Sequence, residues 1–383
     1  MGEWVWPAYV GVLGGVFLFG VFMVPIVAIQ YRMYGRFTWR RFLGAAGLSV
    51  YGVALVAYTL LPLPDPTLLK CGPGGSTFQP VPFQFLDDIQ RETSGLGITG
   101  TLTSRATLQV VFNVVLFIPW GVIARRYLSW NIAVSTLTGG IVSGLIEATQ
   151  FTGLWGIYDC AYRLADVDDL ITNTLGALIG AVIAPLVLWF MPQRRDLRAA
   201  RGQSRPVTVR RRWLGMIIDY VALVFLGFGF VVVYSVGLLA IGADLPAADD
   251  TFSLVLMHLV PGFLVFYLPA LVGSGASLGQ RAVWLQPYWP ATRRRALLRA
   301  SATGGLYVVL SFLGDLMQAT AFGPLTGLLL LAAFVAIPLT KSRGLSGVLT
   351  GAQMVDSREI ERRRVAGLVP GPAWRSQTTT AAE

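Results

Sequence analysis

Long apolar runs, separated by short polar stretches rich in arginine, set the rhythm of the chain. A helix needs about 20 mostly apolar residues to cross the hydrocarbon core of a bilayer. About nine segments meet that requirement, near residues 8–30, 42–62, 107–124, 132–151, 169–191, 214–242, 252–272, 298–314 and 321–339. The pattern predicts an all-α fold, a polytopic bundle of transmembrane helices. The polar connections alternate in charge. Arg32, Arg36, Arg40 and Arg41 follow the first run, Arg125 and Arg126 the third, and a dense series from Arg194 to Arg212 the fifth. Arg293 to Arg295 with Arg299 follow the seventh, and Lys341 with Arg343 the ninth. The opposite connections are acidic or nearly neutral, with Asp244, Asp249 and Asp250 in one and Asp315 in another. Basic loops stay on the cytoplasmic side of a membrane, so the alternation predicts an outward N-terminus and a cytoplasmic C-terminus.

Composition points to the same solvent. Of the 383 residues, 54% are hydrophobic and 13% charged, against about 25% charged in soluble domains. The net charge of +10 would suit a nucleic-acid partner in a soluble protein. Here the arginines form no domain of their own, which favours the positive-inside reading and no nucleic acid. The start Met1-Gly2-Glu3-Trp4 lacks a basic n-region, so the first run is expected to remain as a helix. The stretch Met191 to Trp213 carries Pro192, Gly202 and Pro206 among its arginines. It predicts a membrane module at 1–191, a basic cytoplasmic linker at 192–213, a second membrane module at 214–356 and a disordered cytoplasmic tail at 357–383.

Candidate chemistry in the first module starts from one helix face, because Gly140, Ser143, Gly144, Glu147 and Gln150 recur at three- and four-residue steps. Gly140-x-x-x-Gly144 suits close helix packing. A carboxylate such as Glu147 inside a span costs roughly 2.5–3.5 kcal/mol and needs a partner or a wet cavity, so a functional and a structural pairing role are both open to it. The loop from Thr152 to Asp168 follows, carrying Arg163 and Asp166, and Asp169 lies at the start of the next helix. Asp166 or Asp168 suits an N-cap there. Asp169, Asn173, Gly176 and Gly180 share one face of that helix. Glu147, Gln150, Arg163, Asp166, Asp169 and Asn173 are therefore the candidate ligand-binding residues. Arg163 suits either a phosphate gripped by paired hydrogen bonds or a salt bridge to Asp166 or Asp169. The two cysteines, Cys71 and Cys160, have no metal-ligand spacing, so no metal site and no cofactor is expected. Both fall in loops assigned to the outer side, where the alternatives are two free thiols or a disulfide tying Gly72-Pro73-Gly74-Gly75 to the loop of Arg163.

Several strings in order carry a resemblance: Pro82-Phe83, Asn113 to Gly121, Glu147-Ala148-Thr149-Gln150, and Arg163 through Asp169 to Gly180. Over residues 45–190 they resemble the VanZ-like family. That resemblance implies a cell-envelope protein linked to lowered susceptibility to the glycopeptide teicoplanin, with no reaction established for it. In the second module, Arg212 and Asp219 lie two turns apart on one face, followed by Gly275 to Arg281 and Gly344 to Gly351. These pieces resemble the RDD family, although Gly347 and Gln280 stand where that family usually has aspartate and lysine. That resemblance implies cation or proton exchange. His258, the only histidine, suits a proton relay or, in preference, a hydrogen-bonded structural role, and Gly273 to Gly279 a phosphate cradle or, in preference, a tight cytoplasmic turn.

These readings combine into a multi-pass plasma-membrane protein of a bacterium that is more a binding protein than an enzyme. Its expected role is envelope maintenance or glycopeptide resistance. Its expected partners are membrane lipids and a lipid-linked cell-wall intermediate or other phosphate-bearing ligand at the outer leaflet. The alternatives are an RDD-type cation or proton transporter using Arg212 and Asp219, and a non-catalytic membrane scaffold.

Overall fold

The computed structural model describes residues 5–69, 71–72, 78–247, 249–288 and 293–366. Pro73 to Gly75 of the segment next to Cys71, and residues 367–383 of the expected tail, lie outside the described residues. Nine helices are long and apolar enough to cross a membrane among the described residues. They are α1 (Trp6–Tyr34), α2 (Trp39–Leu60), α3 (Arg105–Tyr127), α4 (Ile132–Phe151), α5 (Val167–Val187), α6 (Val209–Ala240), α7 (Thr251–Val272), α8 (Arg294–Leu316) and α9 (Phe322–Leu339). Each agrees with an apolar run in the sequence, and the fold is all-α with almost no sheet.

Side chains and solvent explain this architecture. Phe17, Leu186 and Leu328 stand more than half exposed on helix surfaces, as is stable only where lipid covers them. In lipid every backbone group must find its partner within the helix. Polar caps then start the helices. The Ser104 hydroxyl accepts from Thr107 N at 3.3 Å before α3, and Asn131 Oδ1 from Val134 N at 2.7 Å before α4. Thr208 does the same for α6 and Asp250 for α7.

The chain divides into two compact units, Met1–Met23 with Thr38–Leu197, and Val24–Phe37 with Arg198–Glu383. Within the first, α3 and α5 pack through missing side chains. A Cβ at Gly176 would overlap the Val114 carbonyl, one at Gly180 the Ile118 carbonyl, and one at Gly121 the Ala177 carbonyl. Arginines gather at one end of this unit and donate to the last carbonyls of helices and the loops beyond them. Arg126 Nε reaches Leu188 O at 3.0 Å, Arg40 reaches Phe190 O at 2.9 Å, and buried Arg41 reaches Tyr127 O at 2.6 Å. Such contacts complement the negative end of a helix dipole.

The second unit adds elements that the apolar runs did not predict. Strands β3 (Leu285–Tyr288) and β4 (Gln353–Asp356) pair antiparallel, with Leu285 opposite Asp356. In the first unit β1 (Phe78–Gln79) and β2 (Ala165–Asp166) form a two-residue parallel pair. Residues 357–365, expected to belong to a disordered tail, instead form the helix Ser357–Val365. Its start is fixed by Asp356, whose Oδ1 accepts from Arg358 N at 3.0 Å and from Arg358 Nε at 2.9 Å. Buried Arg358 also donates to Arg201 O at 2.7 Å, so this helix has a packed anchor that a free tail lacks.

Candidate functional site

The end of the first unit opposite Arg40, Arg41 and Arg126 holds a group of carboxylates, each with a specific donor. Asp166 ends β2 and caps α5, accepting from Asp168 N at 2.8 Å. Burial first, with the like charges of Asp168 and Asp88 adding to it, holds the Asp166 carboxyl above its usual range. Asp168 is buried and reaches back across 85 residues of sequence, taking Phe83 N at 2.5 Å and Phe85 N at 2.9 Å. It thereby fixes the start of the short helix Gln84–Thr93 over α5. Asp169 accepts from Asn113 Nδ2 of α3 at 2.5 Å.

Glu147 and Asn173 both lie along the contact of α4 with α5, with separate partners. Glu147 Oε2 accepts from Asp166 N at 3.0 Å. Asn173 Nδ2 donates to buried Ser143 Oγ, one turn before Glu147, at 2.9 Å, and Asn173 Oδ1 is buried without a donor. Gln150 faces elsewhere. Its Nε2 donates to Thr59 O near the end of α2 at 2.7 Å, and Arg163 Nη1 reaches the same oxygen at 2.9 Å. Together they satisfy a carbonyl of the last helical turn, which has no partner within its own helix.

Arg163 is exposed and forms no ion pair with Asp166 or Asp169 among the described residues. Cys160, three residues earlier in the same loop, is joined to Cys71 by a disulfide with a Cα–Cα distance of 5.6 Å. Asn113, Ser143, Thr59 and the clasp from Asp168 to Phe83 and Phe85 were not among the candidates from sequence. Asn113 lies in a string that carried the family resemblance, whereas a backbone acceptor such as Thr59 O leaves no residue-type signal.

In the second unit Arg212 and Asp219 are both buried on α6, without an ion pair between them. Asp219 instead accepts from Ser277 Oγ and from Gly279 N, each at 2.6 Å. His258 of α7 lies 2.7 Å from Asp315 of α8, an acid supplied by another helix. No group of three or more His, Cys, Asp or Glu is arranged to hold a metal ion among the described residues.

Nine spans around buried polar contacts define a multi-pass membrane protein. Residues 48–189, from within α2 to just past α5, match the family model described as VanZ/LLP1. The match links the first unit to a family of membrane proteins associated with glycopeptide resistance. It stops short of the second unit, and the comparisons give no support for an RDD module there. No curated protein and no solved structure matches the chain.

Proposed function

We propose that this is a bacterial plasma-membrane protein that maintains the cell envelope or lowers susceptibility to teicoplanin. It acts by binding a lipid-linked or phosphate-bearing ligand at the outer leaflet through the first unit. The observation that carries this reading is Arg163, exposed at the loop end and anchored by one nitrogen on Thr59 O, with no acid paired to it among the described residues. Its remaining guanidinium donors suit a phosphate, for which the planar fork is well matched. Two signs support an outward placement of this end. The opposite end gathers the arginines, as cytoplasmic ends do, and this end carries a disulfide, which forms in oxidising compartments.

Cation or proton transport through Arg212 and Asp219 is less well supported, because the Asp219 oxygens already have two donors. A scaffold role predicts that point changes are silent while removal of either unit is not. The test is complementation of a strain lacking the gene, read as teicoplanin susceptibility and as the level of lipid-linked wall precursors. Wild type restores both. Arg163→Lys loses most of the effect, since a point charge cannot reproduce the fork, and Arg163→Ala loses at least as much. Full activity of both variants at wild-type membrane levels contradicts the proposal.

A further inference from the structure

The second unit buries two arginines and one aspartate around a single cavity. Arg212 is 3% exposed, Arg299 5% and Asp219 6%, and all three line one cavity of about 100 Å³. No other charged side chain lines it among the described residues. Asp219 is committed to Ser277 and Gly279. Arg212 donates from Nη2 to Arg343 O at 3.2 Å, while its Nε and Nη1 are buried without an acceptor. Arg299 is held in place beside it by Gly275 O at 2.9 Å and Gln280 Oε1 at 3.1 Å. A buried guanidinium with unused donors is costly unless an anion reaches it, and the one carboxylate lining the cavity among the described residues accepts from Ser277 and Gly279 and from neither arginine. The surplus in this cavity is positive.

The far wall of the cavity is apolar, with Leu223, Phe266, Leu329 and Leu330. Arg212 and Arg299 lie within the first two turns of α6 and α8, so the charged wall belongs near a membrane interface and the apolar wall deeper. We propose that this cavity is an oxyanion site. It takes a phosphate or carboxylate on Arg212 and Arg299, and the apolar wall favours the head of an acyl-chain amphiphile over the free ion. This site is separate from that of Arg163 and does not depend on the function proposed for it.

The test uses the purified full-length protein and three probes: lysophosphatidic acid, the uncharged monoacylglycerol of the same chain, and inorganic phosphate. Binding is read by native mass spectrometry and by thermal shift. Lysophosphatidic acid is expected to bind at one saturable site, the monoacylglycerol not at that site, and phosphate more weakly. In an Arg163→Ala background, which removes the site of the proposed function, Arg212→Gln should weaken lysophosphatidic acid by about tenfold or more, the loss of a hydrogen bond to a charged group. Ser346→Asp places a carboxylate on the cavity wall and should raise the melting temperature of the free protein while abolishing the shift with lysophosphatidic acid. Phosphate binding as tightly as lysophosphatidic acid would support the oxyanion site and assign it to the free ion. Equal binding of charged and uncharged amphiphiles to wild type overturns the proposal, as does unchanged binding by a folded Arg212→Gln or Ser346→Asp.

Discussion

At the scale of single residues, two carboxylates hold distant parts of the chain together. Asp168 takes two backbone N–H groups from the start of the Gln84–Thr93 helix, so its removal strands both donors at once. Asp168→Ala should cost about 1–3 kcal/mol, read as a lower melting temperature and as faster proteolysis between α2 and α3. Asp356 has a different role, because it is the common acceptor for Arg211 at 2.8 Å and Arg358 at 2.7 Å, all three buried. Burial raises the Asp356 carboxyl, but the two arginines and the hydrogen bond from Arg205 N outweigh it and leave the carboxyl below its usual range. In the unfolded chain that group titrates near about pH 4. Its stabilisation is therefore complete above that pH and is lost as pH falls through the lower folded value. Acid unfolding of the wild type should begin below about pH 4, whereas Asp356→Ala should be weaker by about 3–5 kcal/mol at neutral pH with two unpaired arginines left buried. An acid midpoint identical in both proteins would show that Asp356 is not the group responsible. Little of this was legible in the sequence, since the Asp168 partners are backbone groups and Arg211 is 145 positions from Asp356, even though Arg358 is only two away.

At the scale of elements, the spanning helices were legible because lipid imposes one rule, about 20 apolar residues, that any local reading can apply. The short elements were not. β3 and β4 are far apart in sequence, and four residues each leave too brief a pattern to mark them. The glycine spacing in α4 marks close packing at one of its two positions, since a Cβ at Gly140 would come within 2.9 Å of Thr174 Oγ1 of α5. A Cβ at Gly144 would meet only Leu170 Cδ1 at 3.9 Å, while Gly176 and Gly180 of α5 lie against carbonyls of α3. Gly180→Ala and Gly176→Ala should each destabilise by about 1–3 kcal/mol through overpacking, and Gly144→Ala should be neutral or slightly stabilising through helix propensity. Thermal unfolding in one detergent ranks the three, and an equal loss at Gly144 would contradict the packing described for α3 and α5.

At the scale of the whole molecule, the alternation of basic connections and the disulfide make one prediction about sidedness. Thiol labelling of intact cells with an impermeant reagent should give no signal before reduction. After an impermeant reductant, Cys71 and Cys160 should both label from outside, and labelling only in permeabilised cells would reverse the assignment. The candidate site was partly legible, because spans that carry carboxylates are few and Glu147 and Asp169 stood out in them. The anchoring of Arg163 on α2 was not, since it depends on how a loop folds back. The most direct test of the proposed function is binding of a long-chain polyprenyl phosphate to the purified protein in nanodiscs, compared between wild type and Arg163→Ala. The account predicts saturable binding by wild type that falls by about tenfold or more in the variant. Equal binding by wild type and Arg163→Ala, with both folded, would contradict it.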